Sequence, residues 1–283
     1  MIPEAVQIWL ADHQFGKVVS EQPVSGGCIN QGMVIKAEGG KSFFLKVNRN
    51  IPPDMFAKEA NGLKVLRVDG APTVPEAYYV GPDFLLLEDL SPAPRRNDYW
   101  TLFGQQLASL HQHTAAKFGF SEDNYIGITP QPNAWMEDGY EFFGEQRLLF
   151  QAHLARERGL LDAEDYRDVE RLVTRLPNLV PVQPPSLLHG DLWTGNAMTD
   201  SRGAPAIIDP AVHYSWAEAE LAMTTLFGSF PAAFYRAYEE TRPLEPGYQN
   251  RFPIYNLYHL LNHLNLFGRS YLGQVQAVLR RFV

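Results

Sequence analysis

Residues 187–211, "LLHGDLWTGNAMTDSRGAPAIIDPA", hold three side chains whose types and spacing could do chemistry: Asp191, Asn196 and Asp209. They offer carboxylate and amide oxygens, the atoms a hard divalent cation takes. Zinc fits poorly, because it needs three or four His, Cys or carboxylate ligands at recognisable spacing. This stretch has one histidine, and Cys28 is the only cysteine of the chain. Asn196 and Asp209 suit a Mg²⁺ pair that draws its other ligands from substrate phosphate. Asp191, five residues before Asn196, would then accept the proton of an attacking hydroxyl; Asp-x4-Asn is the spacing of a phosphoryl-transfer catalytic loop. His189 reads as a hydrogen-bonding brace for this loop rather than an acid or base.

Phosphoryl transfer also needs a lysine on the phosphates, held by a helix glutamate. In "SFFLKVN" a period of two puts Phe44, Lys46 and Asn48 on one face of a strand. The next segment, "PPDMFAKEANGLKVLR", is a helix with Asp54 as its expected N-cap. Its apolar stripe is Phe56, Ala60, Leu63 and Leu66, and Glu59 falls inside that stripe. An inward carboxylate needs a partner, and Lys46 is the nearest cation in sequence.

The elements that must position these groups can be read from the same pattern. Residues 17–48 form a β-meander with turns at Gly26-Gly27 and Gly39-Gly40. Two more strands flank Gly81-Pro82, and the Pro-rich "EDLSPAPRRND" sets a boundary near residue 91. Helices follow: 98–114 with Phe103, Leu107 and Leu110 on one face, about 140–158, and 163–176 capped by Asp162. The catalytic stretch reads as strand, loop, strand, turn at "DSRG", strand. Ser215 and Glu218 match a capping box that opens the final helices. The expected fold is α+β and two-lobed, protein-kinase-like. Residues 1–90 carry a small antiparallel sheet plus one helix for the nucleotide, and residues 91–283 a larger, mainly helical catalytic and acceptor-binding lobe.

A net charge of −8 argues against nucleic acid or an anionic membrane as the main partner. The lone cysteine suits a reducing compartment. The start lacks a basic region before an apolar run, and nowhere do about 18 apolar residues run together. The expectation is a cytoplasmic protein.

Beyond these local readings, "HGDLWTGN" followed by "IIDPA" resembles the fructosamine kinase (ketosamine-3-kinase) family. That family belongs to the aminoglycoside-phosphotransferase-like branch of the protein-kinase-like fold. The resemblance runs along nearly the whole chain, through "SGGCIN", "FFLKVN", "MFAKEANGL", "LASLHQHTAAKFGF" and "LYHLLNHLNLFGRSYL". It implies ATP- and Mg²⁺-dependent phosphorylation of a sugar hydroxyl on ketoamine adducts, free or on protein lysines, in deglycation. It further implies that Gly26, Gly27 and Asn30 lie over the phosphates and that Lys46 and Glu59 form the phosphate-lysine pair. The backbone of Glu88-Asp89-Leu90 would meet adenine. Cys28 stands where the family has a redox-sensitive cysteine, so oxidation could join two otherwise monomeric chains; an inert small residue is the alternative.

Three departures fall near the acceptor side. Gly139 replaces an expected tryptophan, "VHYSWAE" with His213 replaces a Tyr-Tyr-Gly-His-Arg-Glu run, and Glu220 stands where an aspartate is common. Trp193 and Trp216 are candidates for a wall stacked against the sugar, with His213 a further candidate contact. His111 and the Tyr and His residues of "YNLYHLLNHLNLFG" read as core. Two alternatives stay open: a kinase for an aminoglycoside- or choline-type acceptor, and a pseudokinase that only binds nucleotide. Against the second stands the full set of Lys46, Glu59, Asp191, Asn196 and Asp209.

Overall fold

The computed structural model describes residues 2–24 and 31–283. Helix α1 (Glu4–Asp12) leads into strands β1 (Val18–Val24), β2 (Gln31–Ala37) and β3 (Ser42–Val47). Helix α2 (Met55–Val65) precedes β4 (Ala77–Val80) and β5 (Phe84–Glu88). The five strands make one antiparallel sheet in the order β1-β2-β3-β5-β4. Strand alternation sorts its side chains cleanly. Phe43, Leu45, Phe84 and Leu86 pack with Val6 and Leu10 of α1. On the opposite face, Leu85 and Leu87 join Phe56, Leu63 and Leu66 of α2. Lys46 shares that second face, which is why it meets α2 rather than solvent.

Two expectations need correcting here. One helix is expected beside the sheet and there are two, because α1, with Val6 and Leu10 buried, covers the face that α2 leaves open. Asp54 precedes α2 but does not cap it by a side-chain bond. Its backbone is already helical (φ −99°, ψ −2°), whereas a capping side chain needs extended backbone to reach back to the first turn. Its carboxylate instead accepts the Tyr125 hydroxyl at 2.7 Å.

Beyond the sheet, α3 (Tyr99–His111) precedes a hairpin of β6 (Asn124–Ile126) and β7 (Thr129–Gln131). Helix α4 (Gly139–Phe143) continues through one π-helical stretch, Gly144–Leu149, into α5 (Phe150–Glu157). Helix α6 (Ala163–Leu179) starts on Asp162, whose carboxylate accepts from Glu164 and Asp165 N–H as expected. Four short strands follow: β8 (Ser186–Leu188), β9 (Ala197–Thr199), β10 (Pro205–Ile207) and β11 (His213–Ser215). They pair as β9-β10 and β8-β11. Helices α7 (Ala217–Leu226), α8 (Ala232–Thr241), α9 (Tyr248–Phe267) and α10 (Leu272–Phe282) complete the chain.

The capping box at Ser215 does not form. Ser215 belongs to β11, and the Glu218 carboxylate is taken by Arg251 at 2.6 and 2.8 Å and by the Tyr255 hydroxyl at 2.8 Å. An ion pair to a neighbouring helix outcompetes the local cap. Among the described residues, no helix is long and apolar enough to cross a membrane.

Candidate active site

A cleft of about 420 Å³ lies between the sheet and the helical part. Phe44, Lys46, Glu59 and Leu87 line it from one side; Asp191, Trp193, Asn196 and Asp209 line it from the other. The paired strands produce this convergence. Strand β8 delivers His189-Gly190-Asp191 at its end, while the β9-β10 hairpin carries Asn196 before its first strand and Asp209 after its second. Ile208 N–H donates to Asn196 O at 3.2 Å and ties the two hairpin ends together.

Lys46 is buried and sits between two carboxylates. It donates to Glu59 Oε1 at 2.5 Å and also to Asp209 Oδ1. Burial works against its charge, but Asp209 and Glu59 together overcome that and hold the ammonium well above its ordinary value. Glu59 is pushed up by burial, against the pull of Lys46. Asp209 holds a positive φ of 58°, a conformation few residues other than glycine adopt. Such local strain, on the order of 1 kcal/mol or more, persists only where surrounding structure enforces it.

Asp191 faces this cluster. Asn196 Nδ2 donates to the Asp191 carbonyl at 2.8 Å and to Oδ2 at 3.3 Å, so the five-residue spacing closes a local loop. Burial pushes the Asp191 carboxyl up to about 7, and nearby Asp209 adds to that; the Asn196 bond opposes it.

The catalytic loop hangs from Glu220. Its Oε1 accepts Gly190 N–H at 2.6 Å, and its Oε2 accepts His189 N–H at 3.0 Å and His111 Nε2–H at 2.9 Å. His111 Nδ1 in turn accepts the Tyr238 hydroxyl at 2.7 Å. His189 donates through Nε2 to Ile208 O at 2.8 Å and accepts Asp191 N–H at Nδ1, 3.2 Å away. Burial depresses both histidines below their ordinary value, against the pull of Glu220. Burial would raise Glu220, but the bonds from His111 and Gly190, with His189 nearby, hold it below the ordinary carboxylate value. Gly190 has no substitute here: at φ 85°, an added Cβ would lie 2.0 Å from Ala211 O.

The structure thus gathers Lys46, Glu59, Asp191, Asn196, Asp209 and Trp193 around one cleft, with Glu88, Asp89 and Leu90 along its lining. Gly26, Gly27, Cys28 and Asn30 lie outside the described residues. Two expected contacts are not there. Trp216 is 1% exposed, packed among Phe118, Tyr140, Phe143 and Tyr255. His213 is buried too, and its Nδ1 donates to Ala211 O at 2.9 Å. Both side chains point into the helical core, so they brace the floor instead of lining the cleft. The anchoring by Glu220 and His111 is the main feature not expected from sequence. Its signals were Glu220 at a position where the resembled family commonly has an aspartate, and a carboxylate in the first turn of the apolar helix "AEAELAM".

A sequence model of the family described as fructosamine kinase matches residues 2–283. A probable ketoamine kinase of Synechocystis sp. is 43% identical over 98% of this chain and 95% of its own length. A chloroplastic protein-ribulosamine 3-kinase of Oryza sativa is 38% identical over 98% of this chain and 82% of its own. Among solved structures, a provisionally assigned fructosamine-3-kinase of Thermobifida fusca superposes with a TM-score of 0.89. It is 31% identical and covers 99% of this chain and 98% of that one. An aminoglycoside phosphotransferase crystallised with ADP and hygromycin B reaches a TM-score of 0.62 at 18% identity, over 98% of each chain, which shows the shared kinase-like fold. Matched along almost its full length, the chain belongs to the fructosamine kinase family.

Proposed function

We propose that this protein transfers the γ-phosphoryl group of ATP to a sugar hydroxyl of ketoamine adducts, of fructosamine or ribulosamine type. The observation that carries the reading is the Lys46–Glu59–Asp209 cluster facing the Asp191–Asn196 loop across one cleft. Residues 1–90 act as the nucleotide lobe and residues 91–283 as the catalytic and acceptor lobe. Adenine lies against the Glu88-Asp89-Leu90 backbone.

In the reaction, the Asp191 carboxylate takes the proton of the acceptor hydroxyl. The hydroxyl oxygen bonds to the γ-phosphorus, the bridging P–O bond to the β-phosphate breaks, and ADP leaves. A carboxyl held at about 7 is well matched to that exchange near neutral pH. Lys46 neutralises phosphate charge, Glu59 fixes its position, and Trp193 offers a ring to the sugar. Positioning and fixed charge supply most of the acceleration in such chemistry.

A Mg²⁺ site fits the residues present. Asn196 spends its amide nitrogen on Asp191, which leaves Oδ1 as the donor. Asp209 is 38% exposed on the cleft side and adds a carboxylate oxygen. Bound there, Mg²⁺ would neutralise charge across the phosphates. Among the described residues no group of three His, Cys, Asp or Glu side chains is arranged to hold a metal ion by itself; with two protein oxygens, the other ligands would be phosphate and water.

The test is an acceptor panel. ADP release with fructosyl- and ribulosyl-lysine, alongside aminoglycosides and choline, is expected only for the ketoamines. Turnover confined to the other acceptors, or absent with all of them, would overturn the assignment. Ketoamine turnover would give the protein a deglycation role in the cytoplasm.

A further inference from the structure

The β6-β7 hairpin and the residues just before it make a set of contacts that the reaction itself does not call for. Glu122 receives two side chains from α2: Lys58 Nζ on Oε2 at 2.5 Å and Asn61 Nδ2 on Oε1 at 2.5 Å. At the start of the same helix, Tyr125 donates its hydroxyl to Asp54. The hairpin grips a second element with equal care. Asn124 Nδ2 donates to Val212 O at 2.8 Å, and Gln131 Nε2 donates to Ala211 O at 3.1 Å. Asn133 donates to Asn124 Oδ1 at 2.9 Å and accepts from the buried Arg147 at 2.6 Å, which roots the hairpin in the helical core.

These two grips end on the same place. Lys58 and Asn61 flank Glu59 on α2, and Ala211 and Val212 follow Asp209. Glu59 and Asp209 are the two carboxylates that hold Lys46. We propose that Glu122 is a positioning residue: by locking α2 to the β6-β7 hairpin, it fixes the gap between Glu59 and Asp209 in which Lys46 sits.

The geometry makes the lock selective for helix roll. Side-chain tips lie about 5–6 Å from a helix axis, so a roll of about 10° carries the Glu59 carboxylate ~1 Å off Lys46. The same roll must stretch both bonds to Glu122, because Lys58 and Asn61 sit three residues apart on one face. Misplacement of about 1 Å in such a cluster can cost up to 10²-fold in function. The Lys58–Glu122 pair is 23% and 28% exposed, so on its own it adds little to global stability. Its weight falls on position.

The inference rests on the kinase reading for the identity of the nucleotide. Neither Asn61 nor Glu122 lines the cleft, but Lys58 does, so the decisive variant is Asn61→Ala: it leaves the Lys58–Glu122 pair in place, and its effect on nucleotide affinity has to travel through α2. The experiment is a double-mutant cycle. The dissociation constant of Mg·AMPPNP is measured by calorimetry for wild type, Asn61→Ala, Glu122→Ala and the double variant, with melting temperature recorded for each. Each single variant is expected to weaken binding about 5–10-fold, and the double variant no more than the weaker-binding single within 2-fold. Tyr125→Phe removes the hydroxyl that holds the start of α2 and guards against a variant that does not fold; because Tyr125 also lines the cleft, its expected 2–3-fold weakening counts for the lock only together with the Asn61→Ala result. Wild-type affinity in all folded variants overturns the lock, as do multiplying effects in the double variant. Those results leave ketoamine turnover untouched, whereas missing ketoamine turnover with the affinity pattern intact sinks only the acceptor assignment. A wild-type protein that does not bind Mg·AMPPNP overturns both.

Discussion

Replacing Asp191 by asparagine should raise stability while it removes activity, and the pH dependence of the gain is set by the structure. Burial and Asp209 lift the Asp191 carboxyl from its ordinary 3.8 to about 7 in the folded protein. The folded state therefore binds this proton more tightly than the unfolded chain does. Stability then falls as pH rises through the window from 3.8 to about 7, where the unfolded chain has lost the proton and the folded state still holds it. Above that window the cost is fully present, with a ceiling of roughly 4 kcal/mol, since each pH step of one across the window is worth about 1.4 kcal/mol. Asparagine keeps the shape and cannot ionise. At pH 8 the variant should melt above wild type by about 5–10 °C, taking roughly half to most of that ceiling at 2–4 °C per kcal/mol. Below pH 4 the two proteins should melt together.

The assay is nucleotide-free scanning calorimetry from pH 3.5 to 8.5, beside steady-state turnover. kcat should drop about 10²–10⁴-fold while ATP still binds, and wild-type kcat/KM should climb with pH toward a plateau above about 7. Equal melting temperatures at pH 8 would show that the carboxyl is not held out of its ordinary range. Turnover within tenfold of wild type would remove Asp191 from the role of base.

Two further outcomes follow from the same cluster and its support. Lys46→Met leaves Glu59 buried without its cation, so it should cost about 3–5 kcal/mol of stability and at least ~10²-fold in kcat/KM for ATP. Adding Glu59→Leu should return much of the stability and none of the activity, as read by denaturant melts and coupled assay. Glu220→Gln replaces one acceptor oxygen by NH₂, which turns a donor toward the buried His189 or Gly190 N–H. A loss of about 1–3 kcal/mol is expected, with kcat lowered over tenfold and KM for ATP little changed; unchanged kcat would mean the loop does not depend on this anchor.

Much of the arrangement was legible because its causes are local. Alternation along "SFFLKVN" put Lys46 on the face opposite Phe43 and Leu45, as the packing has it. An inward glutamate on α2 announced that a cation must meet it, and Lys46 does. Asp191 and Asn196 are joined by a bond across five residues, short enough for spacing to report it. The failures are of another kind. Asp54 and Ser215 carry the right residue types for helix caps, yet Tyr125 engages the first and Arg251 engages the partner of the second. Trp216 and His213 have the chemistry of a sugar contact, but residue type does not say that β11 turns His213, and the start of α7 turns Trp216, into the core.

Local pattern by itself determined the strands β1–β5 and β8–β10, most helices, the loop that carries Asp191 and Asn196, and the demand for a partner at Glu59; the β6-β7 hairpin and β11 it did not show. Tertiary structure alone decided that Asp209 closes on Lys46 from 163 residues away and that Glu220 holds the catalytic loop by its backbone N–H groups. It also decided that Glu122 pins α2. Periodicity reports the burial of a face within a few turns of chain. Contacts between distant segments depend on how sheet, hairpin and helices pack together, and no spacing along the chain encodes that distance.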